Sequence, residues 1–69
     1  MERFPVDSSN IAAIGYEKDL SVLEVEFKNG SVYQYYDVPE NIFNDIMGAD
    51  SKGKYLAQFV KGTFRYSRV

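Results

Sequence analysis

The 69-residue chain contains no cysteine, no histidine and no tryptophan. Without cysteine there is no disulfide staple, no thiolate metal site and no thiol nucleophile. Without histidine the commonest general base and metal ligand is missing. No apolar run approaches the roughly 20 residues needed to cross a bilayer, and no signal-peptide pattern opens the chain. Ser8, Ser9, Ser31, Ser51 and Ser67 lack a recognisable activating partner. The acidic residues fall in no metal-loop spacing, and no glycine-rich phosphate loop is present. These absences predict a protein that is not an enzyme, has no cofactor and no metal, does not enter a membrane, and is cytoplasmic.

What is present reads as one small globular domain over residues 1–69. Hydrophobic residues make up 45% and charged residues 26%, an ordinary globular balance. Aromatic residues reach 16%, all Tyr and Phe, so rings must supply much of the core. Charge is distributed unevenly. Residues 1–50 carry all 10 acidic residues against three basic ones, a net of −7, whereas residues 51–69 carry five basic residues and no acid. Such a basic end either offers a face to an anion or folds back on the acidic half.

The chain order predicts an α+β domain. Residues 1–8 form an extended lead-in in which Pro5 blocks regular structure. "NIAAIGYE" is an apolar strand and "LSVLEVEFK" a second one. In the latter Leu23, Val25 and Phe27 alternate with Glu24, Glu26 and Lys28, the period of a half-buried strand whose acidic side is solvated. Asn29-Gly30 marks a hairpin, and "SVYQYYDV" returns.

Register decides where the tyrosines go. A three-residue loop, Lys28 to Gly30, pairs Val25 with Tyr33 and Leu23 with Tyr35. It puts Leu23, Val25, Phe27, Tyr33 and Tyr35 on one core face and Tyr36 on the other. A two-residue loop would mix these rings with the glutamates, so hydrophobic pattern selects the longer loop. Pro39 opens a helix whose stripe is Ile42, Phe43, Ile46 and Met47, and Gly48 ends it. A second helix follows, N-capped by Asp50 or Ser51, striped with Tyr55, Leu56, Phe59 and Val60, and closed by Gly62. The expected fold is a three-stranded antiparallel meander packed by two short helices. "TFRYSRV" supplies a short C-terminal edge strand or an extended tail.

One segment breaks a local rule. In "ADSKGKY", Lys52 and Lys54 occupy the first turn of a helix, where partial positive charge disfavours cations by about 0.3–1 kcal/mol each. Gly53 weakens that helix by about 1 kcal/mol relative to Ala. An anion cradled by Ser51, Lys52, Gly53 and Lys54 would account for both. The alternative is that Asp50 neutralises the lysines and Gly53 serves close packing. Tyr33, Tyr35, Tyr36, Tyr55 and Tyr66 are candidates for base stacking. Of these, Tyr33 and Tyr35 are assigned to the core by register, and Tyr36 is the exposed candidate.

The order "SSNIAAIGY", "LEVEF" with "NG", "VYQYYDVP" and "ADSKGKY" resembles the KTSC domain family. Its central mark is Tyr33-Gln34-Tyr35, accompanied by Val38-Pro39 and by Ser51 to Lys54. The likeness runs from about Ser8 to Tyr66. The family occurs at the C-terminus of some lysyl-tRNA synthetases and as free-standing bacterial and phage proteins. The resemblance implies an RNA-binding role.

The functional expectation is therefore a binding module for RNA or tRNA. Lys52 and Lys54 would hold phosphate, Lys61, Arg65 and Arg68 would extend the basic track, and Tyr36 or Tyr55 would stack on a base. Two alternatives stay open. One is a protein-interaction or self-associating domain that uses an edge strand (Asn10–Tyr16 or Thr63–Arg68) or its acidic half. The other is a small phosphorylated ligand at the same helix start.

Overall fold

The computed structural model describes residues 1–69 and contains one five-stranded antiparallel sheet with two helical segments on one face. The strands are β1 (Arg3–Pro5), β2 (Ile11–Glu17), β3 (Val22–Phe27), β4 (Val32–Tyr35) and β5 (Tyr66–Arg68), paired in chain order. Helix α1 spans Glu40–Met47, and α2 spans Lys52–Tyr55 and runs straight into a π-helical turn over Leu56–Val60.

The β3–β4 hairpin follows from its apolar alternation. Val25 pairs with Tyr33 and Leu23 with Tyr35. The loop has three residues: the Phe27 N–H donates to Ser31 O, the Gly30 N–H donates to Phe27 O, and Gly30 has φ +93. That positive φ is open to glycine without a steric cost. Asn29 stiffens the turn, because its Oδ1 accepts from the Ser31 N–H at 3.0 Å and from the Ser31 hydroxyl at 2.6 Å.

Two expectations about the ends of the sheet are corrected. The meander has five strands and not three, because both termini add to it. The lead-in contributes β1, with Pro5 on the outer edge, where a missing N–H leaves no ladder bond unmade. Gly15 makes this pairing close. A Cβ there would overlap the Glu2 carbonyl and come within 3.0 Å of Arg3 Cγ. With β1 in place, β2 lies inside the sheet, so Asn10–Tyr16 offers no free edge. At the other end the short edge strand expected from "TFRYSRV" is present, as Tyr66–Arg68 paired with β4.

The helix-covered face holds the core. Ile11, Ile14, Leu23, Val25 and Tyr35 from the sheet meet Val38, Ile46, Leu56 and Val60. Each such aliphatic side chain contributes about 1.5–3 kcal/mol when fully buried. Helix α1 is seated by Tyr16, whose hydroxyl donates to the Val38 carbonyl and whose ring stacks on Phe43 at 5.4 Å. Burial raises the pKa of the Tyr35 hydroxyl above its ordinary value, and neighbouring Tyr33 and Tyr66 add to the effect.

The opposite face is not the solvated carboxylate surface that alternation suggests. Glu24 is only 9% exposed. Arg3 crosses the bare backbone of Gly15 to reach Glu24 at 3.2 Å, and Gln34 donates to the other carboxylate oxygen at 2.8 Å. Arg3, Gly15, Glu24, Gln34 and Ser67 stand side by side in register across all five strands. A buried carboxylate is tolerated there because both its oxygens are partnered.

Candidate functional site

The start of α2 is largely occupied by bonds within the protein. Ser51 is the N-cap and accepts from the Lys54 N–H at 3.3 Å. Lys52 turns back, and its Nζ donates to the Ala49 carbonyl at 3.1 Å. Gly53 lies against Asn10, whose Oδ1 would sit 2.9 Å from a Cβ at position 53. Tyr55 donates to Asp45 at 3.3 Å and packs its ring on Phe59 at 4.6 Å. Lost solvent, then the Asp45 carboxylate and its hydrogen bond, hold the Tyr55 pKa above its ordinary value. Lys54 is exposed, with no bond from its ammonium group.

Two other expected residues lie on the far side of the sheet. Tyr36 is half-buried, and its hydroxyl faces Gln34. The Arg65 guanidinium lies 5.8 Å from the Tyr36 ring centroid and pairs with Asp37 at 2.8 Å. Thus Tyr36 and Arg65 do not share a surface with the α2 start.

A different set of residues converges at the hairpin end of the helix-covered face. A groove of about 590 Å³ opens there. Its floor is four rings: Phe27, Tyr33, Tyr35 and Tyr66. Phe27 meets Tyr33 edge-on at 5.8 Å, and Tyr66 leans over Tyr33 and Tyr35 at 5.8 and 5.9 Å. Tyr66 is 61% exposed.

The sequence assignment of Leu23, Val25 and Tyr35 to the core stands, since all three are buried. Tyr33 and Phe27 serve twice: they pack on the core and line the groove. This doubling follows from position. They sit on the core face, beside the hairpin loop that joins β3 to β4.

The walls of the groove are polar. Lys28, Asn29 and Ser31 come from the hairpin, Ser9 and Asn10 precede β2, and Lys61 follows the π-helical turn. The Lys61 N–H closes that turn on Leu56 O at 2.9 Å, and its ammonium lies 5.5 Å from the Phe27 ring centroid. Arg68 pairs with Tyr33 across β4–β5, which places it on the groove's side of the sheet. None of the lining residues is acidic, although the whole chain carries net charge −2. Lys61 and Arg68 were among the residues expected from sequence to bind an anion. Phe27, Lys28, Asn29, Ser9 and Asn10 were not, because only the fold brings residues 9–10, 27–31, 61 and 66 together.

The arrangement presents π faces for stacking, ammonium groups for anions and amides for hydrogen bonds. No group of three or more acidic side chains is placed to hold a metal ion, and no helix is long and apolar enough to cross a membrane.

Comparison with known proteins agrees with this architecture. The sequence profile of the KTSC domain matches residues 7–64. A protein of Tsukamurella paurometabola is 41% identical over 61 residues, covering 88% of this chain and 91% of that one. A lysine–tRNA ligase of Nostoc punctiforme is 36% identical over 63 residues, covering 91% of this chain but only 11% of the ligase. The crystal structure of a KTSC domain protein from Yersinia pestis superimposes with a TM-score of 0.93 at 40% identity, over 99% of this chain and 96% of that one. The profile match, the relatives and the shared fold together place this chain in the KTSC domain family.

Proposed function

We propose that this protein is a non-enzymatic binding module for single-stranded nucleic acid, RNA in the first instance, and that the groove is its site. The observation that carries this reading is the convergence of four rings and two lysines in one opening that no carboxylate enters. Bases stack on exposed aromatic rings whatever their sequence, at about 1–3 kcal/mol per base. Lysines beside such a platform take the phosphates that follow each base. Tyr66 provides the exposed ring, while Lys28 and Lys61 flank the floor. Arg68 continues the basic track past Tyr33. A stretch similar to this chain also occurs in proteins named as lysine–tRNA ligases, which agrees with an RNA ligand.

The α2 start is the weaker candidate because Lys52 and Ser51 already hold backbone partners. A matched pair of variants tests the assignment. Lys28→Ala/Lys61→Ala and Lys52→Ala/Lys54→Ala remove the same charge from two places. Fluorescence anisotropy with a labelled mixed-sequence 10-nucleotide RNA at low salt should show about a tenfold loss for the groove pair. The helix-start pair should stay within about twofold of wild type. No binding by the wild type, or equal losses in both pairs, would remove the reading.

A further inference from the structure

The groove is unequal in donors and acceptors. The exposed side chains of its walls include two lysines, which only donate, and two asparagines, which ordinarily do both. Both asparagines have already committed their oxygens. Asn29 Oδ1 accepts from the Ser31 N–H and the Ser31 hydroxyl. Asn10 Oδ1 accepts from the Ser8 hydroxyl at 3.2 Å. That direction is settled by the rest of the turn. Ser8 Oγ accepts from the N–H groups of Asn10 and Ile11, so its one proton is free to go to Asn10. Neither Nδ2 donates to another protein group. Both amides therefore have their oxygens engaged within the protein and keep an NH2 without a protein partner.

Gly53 belongs to this device. Its missing Cβ leaves the space that the Asn10 carboxamide oxygen occupies. The Gly53 that looks wasteful in a helix thus positions a groove wall. The hydroxyls of Ser9 and the tyrosines can donate or accept, so they favour neither kind of ligand edge.

Resting on the nucleic-acid reading above, we infer that the groove selects bases by the group opposite these amides, favouring keto bases over amino bases. Uracil carries a carbonyl oxygen where cytosine carries an amino group, and guanine differs from adenine in the same way. A carbonyl accepts from the free NH2 of Asn10 or Asn29. An amino group in its place sets donor against donor and leaves both unpaired, which costs more than a missing bond.

The test compares labelled decamers of uridine and cytidine in anisotropy titrations at one salt concentration, because the two share backbone charge and ring size. Wild type should bind the uridine decamer about fivefold more tightly. Asn29→Asp keeps an oxygen for both Ser31 bonds and replaces the free NH2 with a second oxygen. It should weaken binding overall and reduce the uridine preference, and the Asn10→Asp/Asn29→Asp double variant should reverse it towards cytidine. Binding of both decamers with equal affinity by wild type, or a uridine preference that survives both Asn29→Asp and the Asn10→Asp/Asn29→Asp double variant, overturns the keto selection while the groove reading survives. No binding of either decamer overturns both.

Discussion

The α2 start and the hairpin groove are built from the same residue types, and they differ in what those residues have left to give. Each has two lysines, tyrosine and serine. At α2 the Lys52 ammonium, the Ser51 hydroxyl and the Tyr55 hydroxyl all bond to the protein, and Gly53 is pressed by Asn10. In the groove Tyr66 is mostly exposed, the Asn29 and Asn10 amide nitrogens are unspent, and Lys28 and Lys61 form no ion pair. Binding capacity follows unsatisfied groups rather than composition. Most polar groups of the helix start are engaged within the fold, and on the reading proposed above the groove is the part left open for a ligand.

Three measurements would break or sharpen that contrast. The largest effect is expected from Tyr66→Ala. Loss of the exposed ring should cost about 1–3 kcal/mol of RNA affinity in anisotropy titrations. Stability should change little, since Tyr66 is 61% exposed. Tyr55→Ala should do the reverse, lowering stability and leaving affinity alone. If both tyrosines affect binding equally, the two regions are one site and the contrast fails.

Ser51→Ala comes next. Removing this N-cap should destabilise the fold by about 1 kcal/mol in urea unfolding, with no change in RNA affinity. A binding defect without a stability loss would return function to the helix start.

The smallest effect concerns pH. Burial raises the Tyr35 pKa above 10.0, so the unfolded chain loses that proton before the folded one does. The stability contribution is fully present below pH 10.0 and declines as pH rises through the folded value. Thermal melting should therefore be insensitive to Tyr35 ionisation near neutrality and fall above about pH 10. Tyr35→Phe, which has no hydroxyl to ionise, should show a shallower alkaline fall. An identical alkaline slope in the two proteins would mean that another group sets it.

Much of the fold was legible because the informative interactions are local. The alternation of Leu23, Val25 and Phe27 against Glu24 and Glu26 selected the three-residue loop over the two-residue one, and the observed pairs agree. Ser51 and Gly62 bounded the second helix for reasons contained within one turn. The edge strands were less legible. A three-residue strand such as Arg3–Pro5 is too short for a period, and Pro5 argues against a strand unless its outer side is known to be free. The π-helical turn over Leu56–Val60 left no local mark either, since its apolar spacing also suits an α-helix.

The candidate site was less legible, because the groove assembles residues distant in the chain. Lys52 and Lys54 violate helix-dipole preference, and that violation was the strongest local signal available. The fold supplies its own reasons for two of these residues: Lys52 reaches the Ala49 carbonyl, and Gly53 makes room for Asn10, a residue more than 40 positions away in the chain. A signal of local strain shows that something constrains a position. It does not say whether the constraint is a ligand or another part of the fold.

By itself the sequence determined which residue types are missing, which residues alternate into the core and how the central hairpin pairs. Those properties depend on residue type and on neighbours a few positions away. Only the tertiary structure decided that Glu24 is enclosed, that Tyr33 is both core and surface, and which amides and lysines remain unspent. Hydrogen-bond saturation and exposure depend on groups distant in sequence. Here they were set by Arg3 crossing Gly15 and by Asn10 meeting Gly53.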